Sequence, residues 1–199
     1  MKTNANRFGV NPERIVLGGA SAGGHLSMLA AYAPRYPEPT PEDVKDADLS
    51  VCGVLSYYGP GDLLAVYRHT NQQNLVGLPR VPIGSDQPYK RNMTDAGRLD
   101  ILLGGHPQEA PQAYAVGSPI HHVHPGCPPT LLIQGEQDLI TPVMATRELA
   151  GCLREAGVPV VNRVFPCTSH AFDLVFPQFS PPAQSALYDV DRFLALMAA

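Results

Sequence analysis

Cysteine is scarce in this 199-residue sequence: Cys52, Cys127, Cys152 and Cys167 stand far apart and form no C-x-x-C pair. A dense disulfide scaffold and a metal knuckle are therefore not expected, and the cysteines read as free thiols. Basic blocks are missing as well. Fourteen Lys and Arg against 18 Asp and Glu give a net charge of −4, which argues against nucleic acid or an anionic membrane surface as a partner. No apolar stretch approaches the ~20 residues that cross a bilayer, and no basic-then-apolar leader is present. The expectation is a soluble, cytoplasmic protein without a membrane span, any signal peptide lying upstream of Met1. There is also no internal repeat and no long low-complexity tract.

What is present is enough apolar sequence, 44% of residues, for one core in one domain covering residues 1–199. Strand-like and helix-like segments alternate. "RIVLGG" (Arg14 to Gly19) is short, β-branched and ends in glycine, and "SAGGHLSMLAAYA" follows as a helix that Pro34 stops. "LSVCGVLSYYGP" (Leu49 to Pro60) and "PTLLIQG" (Pro129 to Gly135) are apolar with little alternation, as parallel strands covered on both faces are. Thr141 is the expected N-cap of a helix that opens at Pro142, shares a face through Ala145, Leu149, Cys152, Leu153 and Ala156, and ends at Gly157. "VPVVNRVF" (Val158 to Phe165) carries Asn162 and Arg163, which suit a sheet edge. After Pro181-Pro182 a last helix is expected to bury Leu187, Val190, Phe193, Leu194 and Met197. The pattern is α/β, with a parallel, doubly wound sheet flanked by helices. Residues of about 61–117, rich in Gly, Pro, Asn and Gln, read as a cap-like insertion within it.

Gly19-Ala20-Ser21-Ala22-Gly23 fits G-x-S-x-G, the strand-to-helix elbow that lifts a serine above a sheet. The glycines remove Cβ atoms where the chain turns sharply and where the helix lies close to its neighbours. The helix N-terminus offers backbone N–H groups to a developing anion, Ala22 N–H among them. A serine hydroxyl is a poor nucleophile without a base, and the base needs an orienting carboxylate. In this fold the order is Ser, acid, His. Asp138 follows the strand "TLLIQG" and His170 follows "VVNRVF", so all three candidates leave strand ends at the carboxyl edge of the sheet.

Competitors exist for each role. Glu136 sits nearer the strand end than Asp138, and Asp173 lies beyond the base, so Asp138 is preferred as the acid. His121, His122 and His124 cluster, but apart from Cys127 no thiolate or carboxylate completes a ligand set, and a structural connection is the expected reading; no metal is assigned. His25, one turn after Ser21, is expected to be packed or hydrogen-bonded. Asn92-Met93-Thr94 fits a glycosylation sequon without secretory context and is discounted.

These residues resemble the α/β-hydrolase superfamily, in particular the bacterial esterase/lipase group related to hormone-sensitive lipase and to feruloyl/acetyl-xylan esterase-like proteins. "RFGVNPERIVLGGASAGGHLSMLAAYAP" is similar to the family's nucleophile region, and "SYYGPGDL" to its next strand and turn. The stretch from "LLGGHPQEAP" to "LLIQGEQD" leads to the acid, and "AGVPVVNRVFPCTSHAFD" to the base. The resemblance implies Ser21 as nucleophile, Asp138 as acid and His170 as general base, acting without a cofactor on small-molecule esters of small or medium acyl groups. An aryl formamide or amide hydrolase, and a non-catalytic binding remnant, are the rival expectations. Tyr67, Leu75, Val76, Leu78 and Tyr89 of the insertion are expected to help line the acyl or alcohol pocket. Relatives carry strands and a His-Gly-Gly oxyanion loop before the nucleophile strand. Here about a dozen residues precede "RIVLGG" and no such loop occurs. The expectation is a C-terminal portion of a longer protein, whose exposed sheet edge is covered by a preceding segment or by a second copy in a homo-oligomer.

Overall fold

The structure is a computed structural model and describes residues 1–34, 46–72, 95–174 and 176–198. A four-residue helix, α1 (Ala5–Phe8), precedes β1 (Val16–Ala20), α2 (Ala22–Tyr32) and β2 (Gly53–Tyr57). Three helices follow, α3 (Leu63–Gln72), α4 (Asp95–Leu103) and α5 (Pro111–Val116). The chain then runs through β3 (Thr130–Gly135), α6 (Val143–Glu155), β4 (Val160–Phe165) and α7 (Pro181–Ala198). Leu75, Val76, Leu78, Tyr89 and the Asn92-Met93-Thr94 sequon lie outside the described residues.

The four strands form one parallel sheet in chain order, β1-β2-β3-β4. Helices cover both faces, as the α/β pattern implies, although the strand order does not reverse within the described residues. All of β3 is buried, and its alternation distributes the core. Leu132 joins Met28 and Tyr32 of α2 and Leu149 and Leu153 of α6 on one face. Leu131 and Ile133 join Ala186, Val190 and Phe193 of α7 on the other. Register aligns Ala20 with Tyr57, Tyr57 with Ile133 and Gly135 with Phe165, so the loops after all four strands leave at one edge.

Two expected details are corrected. Thr141 does not cap α6: Pro142 holds that position with no side-chain cap, and the buried Thr141 hydroxyl instead donates to the Tyr58 carbonyl at 3.1 Å. In α7, Leu187 and Leu194 are exposed while Ala183 and Ala186 are buried. Ala183, Ala186, Val190 and Phe193 follow helical spacing and form the buried stripe of the helix, which turns the two leucines outward. The end of α6 agrees with expectation. Gly157 has φ +75°, its N–H reaches Arg154 O at 2.9 Å and Val158 N–H reaches Leu153 O at 2.9 Å, the paired bonds of a Schellman stop.

Strand β4 is an edge, as its Asn162 and Arg163 suggest, and Arg163 pairs with Asp189 of α7 at 2.6 Å. The four cysteines are free. Among the described residues no helix is long and apolar enough to cross a membrane.

Candidate active site at the carboxyl edge of the sheet

Ser21 stands between β1 and α2 with φ 52° and ψ −120°, a conformation that L-residues with a Cβ rarely adopt. Its N–H donates to Tyr57 O at 2.8 Å and its carbonyl accepts from His25 N–H at 3.0 Å, so strand and helix hold it from both sides. Serine commonly caps a helix with its own side chain, but here the hydroxyl makes no cap and is free for another partner. Gly19 makes the turn possible, because a Cβ there would run into the Gly23 backbone. Ala22, an exposed residue, opens α2, and its N–H belongs to the first turn, where no intrahelical acceptor exists.

The freed hydroxyl meets His170. Ser21 Oγ and His170 Nε2 are 3.0 Å apart, and His170 Nδ1 is 2.8 Å from Asp138 Oδ2. A carboxylate only accepts, which places the imidazole proton on Nδ1 and leaves Nε2 to accept from the serine. The Asp138 side chain has no exposure and that of His170 has 13%, so the acid is sealed from water while the imidazole keeps an open edge.

Asp138 is held on every side. Oδ1 accepts from the N–H groups of Ile140 and Thr141, each at 2.8 Å, and Oδ2 accepts from Gln134 Nε2 at 2.8 Å as well as from His170. Gln134, fully buried in β3, also donates to Thr141 O at 3.1 Å and accepts from the Thr146 hydroxyl at 3.1 Å. Sequence reasoning missed Gln134, Thr141 and Tyr58 as supports of this site. The available signal was a lone amide within an otherwise apolar buried strand, since a buried amide requires partners.

The competing residues lie elsewhere. Glu136 is exposed and pairs with Arg147 at 3.7 Å. Asp173 accepts from the Tyr58 hydroxyl at 2.5 Å. His25 Nδ1 donates to Pro60 O at 2.9 Å, the packed role expected of it, and burial lowers its pKa while that carbonyl opposes the shift. In the histidine cluster, His122 Nε2 bonds Val116 O at 2.7 Å and His124 Nε2 bonds Tyr32 O at 3.2 Å. Among the described residues no group of His, Cys, Asp and Glu is placed to hold a metal ion. Tyr67 lies in α3 with its hydroxyl 2.6 Å from His106 Nδ1. Helix α3 also reaches the acid loop, where His69 Nε2 donates to Asp138 O at 3.1 Å.

Comparison with known proteins places the chain in a family of esterases. The BD-FAE family profile matches residues 1–153. The chain is 31% identical to the probable carboxylic ester hydrolase LipM of Mycobacterium tuberculosis over 98% of its own length and 40% of that protein. It is 30% identical to esterase LipQ of the same organism over 87% of its own length and 36% of that protein. It thus spans about two-fifths of the length of these curated relatives. In fold it is similar to the thermophilic esterase Est2 of Thermogutta terrifontis, with TM-score 0.69, 22% identity, and coverage of 98% of this chain and 59% of that one. The same esterase phosphorylated by paraoxon is similar with TM-score 0.65.

Proposed function

We propose, from the premise that the chain belongs to the BD-FAE family within the α/β-hydrolase superfamily, that it hydrolyses carboxylic esters of small or medium acyl groups through Ser21, His170 and Asp138. The observation that carries this is the unbroken hydrogen-bonded chain from Ser21 Oγ to His170 to Asp138, at 3.0 and 2.8 Å. Ester hydrolase relatives and the reaction of Est2 with paraoxon support the same chemistry.

In the first step His170 Nε2 takes the Ser21 proton as Oγ bonds the ester carbonyl carbon, and the carbonyl electron pair moves onto oxygen. Asp138 keeps the imidazole in its tautomer and stabilises the imidazolium. Ala22 N–H, at the start of α2, holds the oxyanion. Collapse breaks the bond to the alcohol oxygen, which leaves with the proton from Nε2. Water then gives a proton to Nε2 and attacks the acyl carbon, and collapse returns the proton to Ser21 and frees the carboxylic acid. The described parts of the insertion, residues 61–72 and 95–117, contribute to the acyl or alcohol pocket, a reading supported by the bond from His69 of α3 to the acid loop.

Labelling of the full chain with a fluorophosphonate, with Ser21→Ala as control, tests the reading: labelling that vanishes in the variant is expected. A folded wild-type chain that does not label at Ser21 would make it a non-catalytic binding protein. A panel of p-nitrophenyl esters beside aryl formamides tests the substrate class, and formamide turnover with negligible ester cleavage would replace the ester assignment.

A further inference from the structure

Two hydrogen bonds, one at each nitrogen, place the His170 imidazole between Ser21 and Asp138 but leave it free to rock about the line joining its two partners. The turn carrying it has no regular secondary structure, and Ala171 next to it has φ 58°. What meets the ring is Tyr58, whose ring centroid lies 4.5 Å from that of His170 at 56° between planes. Phe172 meets the same tyrosine edge-on at 6.0 Å, and Asp173 accepts its hydroxyl proton at 2.5 Å. Tyr58 thus touches three residues of the turn that holds the base, His170, Phe172 and Asp173, while Phe172 also packs on Phe165 at 5.5 Å.

That side chain is itself fixed from the sheet. Tyr58 is 1% exposed, its N–H donates to Ile133 O at 2.7 Å, and its carbonyl accepts from Thr141, whose N–H binds Asp138. Its φ of 40° is unusual for a residue with a Cβ. Burial first, then the bond to Asp173, pushes the phenol far above the ordinary tyrosine range, so the hydroxyl remains a donor.

We propose that Tyr58, anchored by Asp173, is a positioning residue that sets the tilt of the His170 imidazole toward Ser21. This rests on the reading of Ser21, His170 and Asp138 as a catalytic triad. A misplacement near 1 Å in such a constellation costs about 10²-fold in rate. Tyr58→Leu, which removes both ring and hydroxyl, slows Ser21 labelling on that scale. Tyr58→Phe and Asp173→Ala each slow it by about tenfold, as loss of one hydrogen bond to a charged group, and combining the two adds little. Asp173→Asn keeps an acceptor oxygen for the phenol and restores most of the rate. In ester assays the loss falls on kcat with KM unchanged.

Proton NMR of the full chain separates positioning from catalysis, with His170→Gln identifying the Nδ1–H resonance. That far-downfield signal is expected to broaden or vanish in Tyr58→Leu and to survive in Asp173→Asn. An unchanged resonance in Tyr58→Leu, or in Tyr58→Phe and Asp173→Ala if the leucine variant does not fold, overturns the assignment. So does a fall in melting temperature with wild-type labelling in the folded fraction. Failure of the wild-type chain to label at Ser21 would instead sink the hydrolase reading, and the resonance would still decide the role of Tyr58.

Discussion

Gln134 donates its side-chain amide to Asp138 Oδ2 over 2.8 Å, and this bond runs from the centre of the sheet to the carboxylate that holds His170. Among the described residues four donors meet that carboxylate, and of these the amide alone is supplied by a side chain of β3. Gln134→Leu fills the space but leaves the buried Asp138 with one donor fewer and the Thr146 hydroxyl without its acceptor. An unmet buried polar group costs about 1–3 kcal/mol. A urea titration at unchanged m-value is expected to show a loss in that range, together with slower labelling of Ser21. An unchanged midpoint would mean that Gln134 fills space and does not support the acid.

The elbow glycines separate two roles that look alike in sequence. A Cβ at Gly24 would meet Ser56 Oγ at 2.7 Å and Gly19 O at 2.9 Å, whereas one at Gly23 meets nothing within 4 Å. Gly24→Ala therefore forces α2 away from β2. Overpacking of this kind costs about 1–3 kcal/mol, while Gly23→Ala is expected to leave the thermal midpoint unchanged or slightly raised, since alanine favours the helix. Comparing the two melting curves decides it, and equal destabilisation would contradict the packing of α2 on β2.

That contrast marks where the sequence was readable and where it was not. The pentapeptide pattern draws attention to Gly23, but the close approach belongs to Gly24, which lies on the same helical face as Ser27 and Met28. A motif specifies the turn at Ser21, and only the tertiary contact of α2 with Ser56 and Gly59 specifies the next glycine. The four strands and the helices α2, α6 and α7 were visible because apolar runs ended in Gly or Pro. In α7 the buried stripe is hard to see in the sequence because two of its members, Ala183 and Ala186, carry little hydrophobic signal.

The convergence of Ser21, Asp138 and His170 was legible for a geometric reason. Parallel strands in register send all their following loops to one edge, so residues just beyond β1, β3 and β4 meet however far apart they are in sequence. The supports were not legible. Tyr58, Thr141 and Gln134 act across strands, through partners that sequence spacing does not reveal, and the bond from Tyr58 to Asp173 spans 115 residues.

Strain at Ser21 yields a prediction on stability. With φ 52° and ψ −120°, the residue has the dihedrals of the first central position of a type II′ turn, where glycine is the usual occupant. Such conformations cost about 1–3 kcal/mol for a residue with a Cβ, against about 0.5–1 kcal/mol for the backbone freedom glycine loses on folding. Ser21→Gly is therefore expected to be more stable than Ser21→Ala, by roughly 1 kcal/mol, although neither labels with fluorophosphonate. Identical urea midpoints for the two variants would show that the elbow stores no strain.

His25 makes stability depend on pH. Its Nδ1–H donates to Pro60 O at 2.9 Å, and burial lowers its pKa in the folded chain from 6.5, the carbonyl partly opposing. In the unfolded chain the imidazole titrates near its ordinary value. Between that value and the lowered folded one, the unfolded chain binds a proton that the folded chain does not, so stability falls as pH drops through the window and levels off above it. The slope is at most about 1.4 kcal/mol per pH unit. His25→Gln keeps a donor for Pro60 O but does not titrate. Urea midpoints of wild type and variant are expected to run parallel above about pH 7 and to diverge below about pH 6.5, with the wild type losing more. Parallel curves down to about pH 5 would mean that His25 charges as readily in the folded chain as in the unfolded one, contrary to its burial between α2 and the loop after β2.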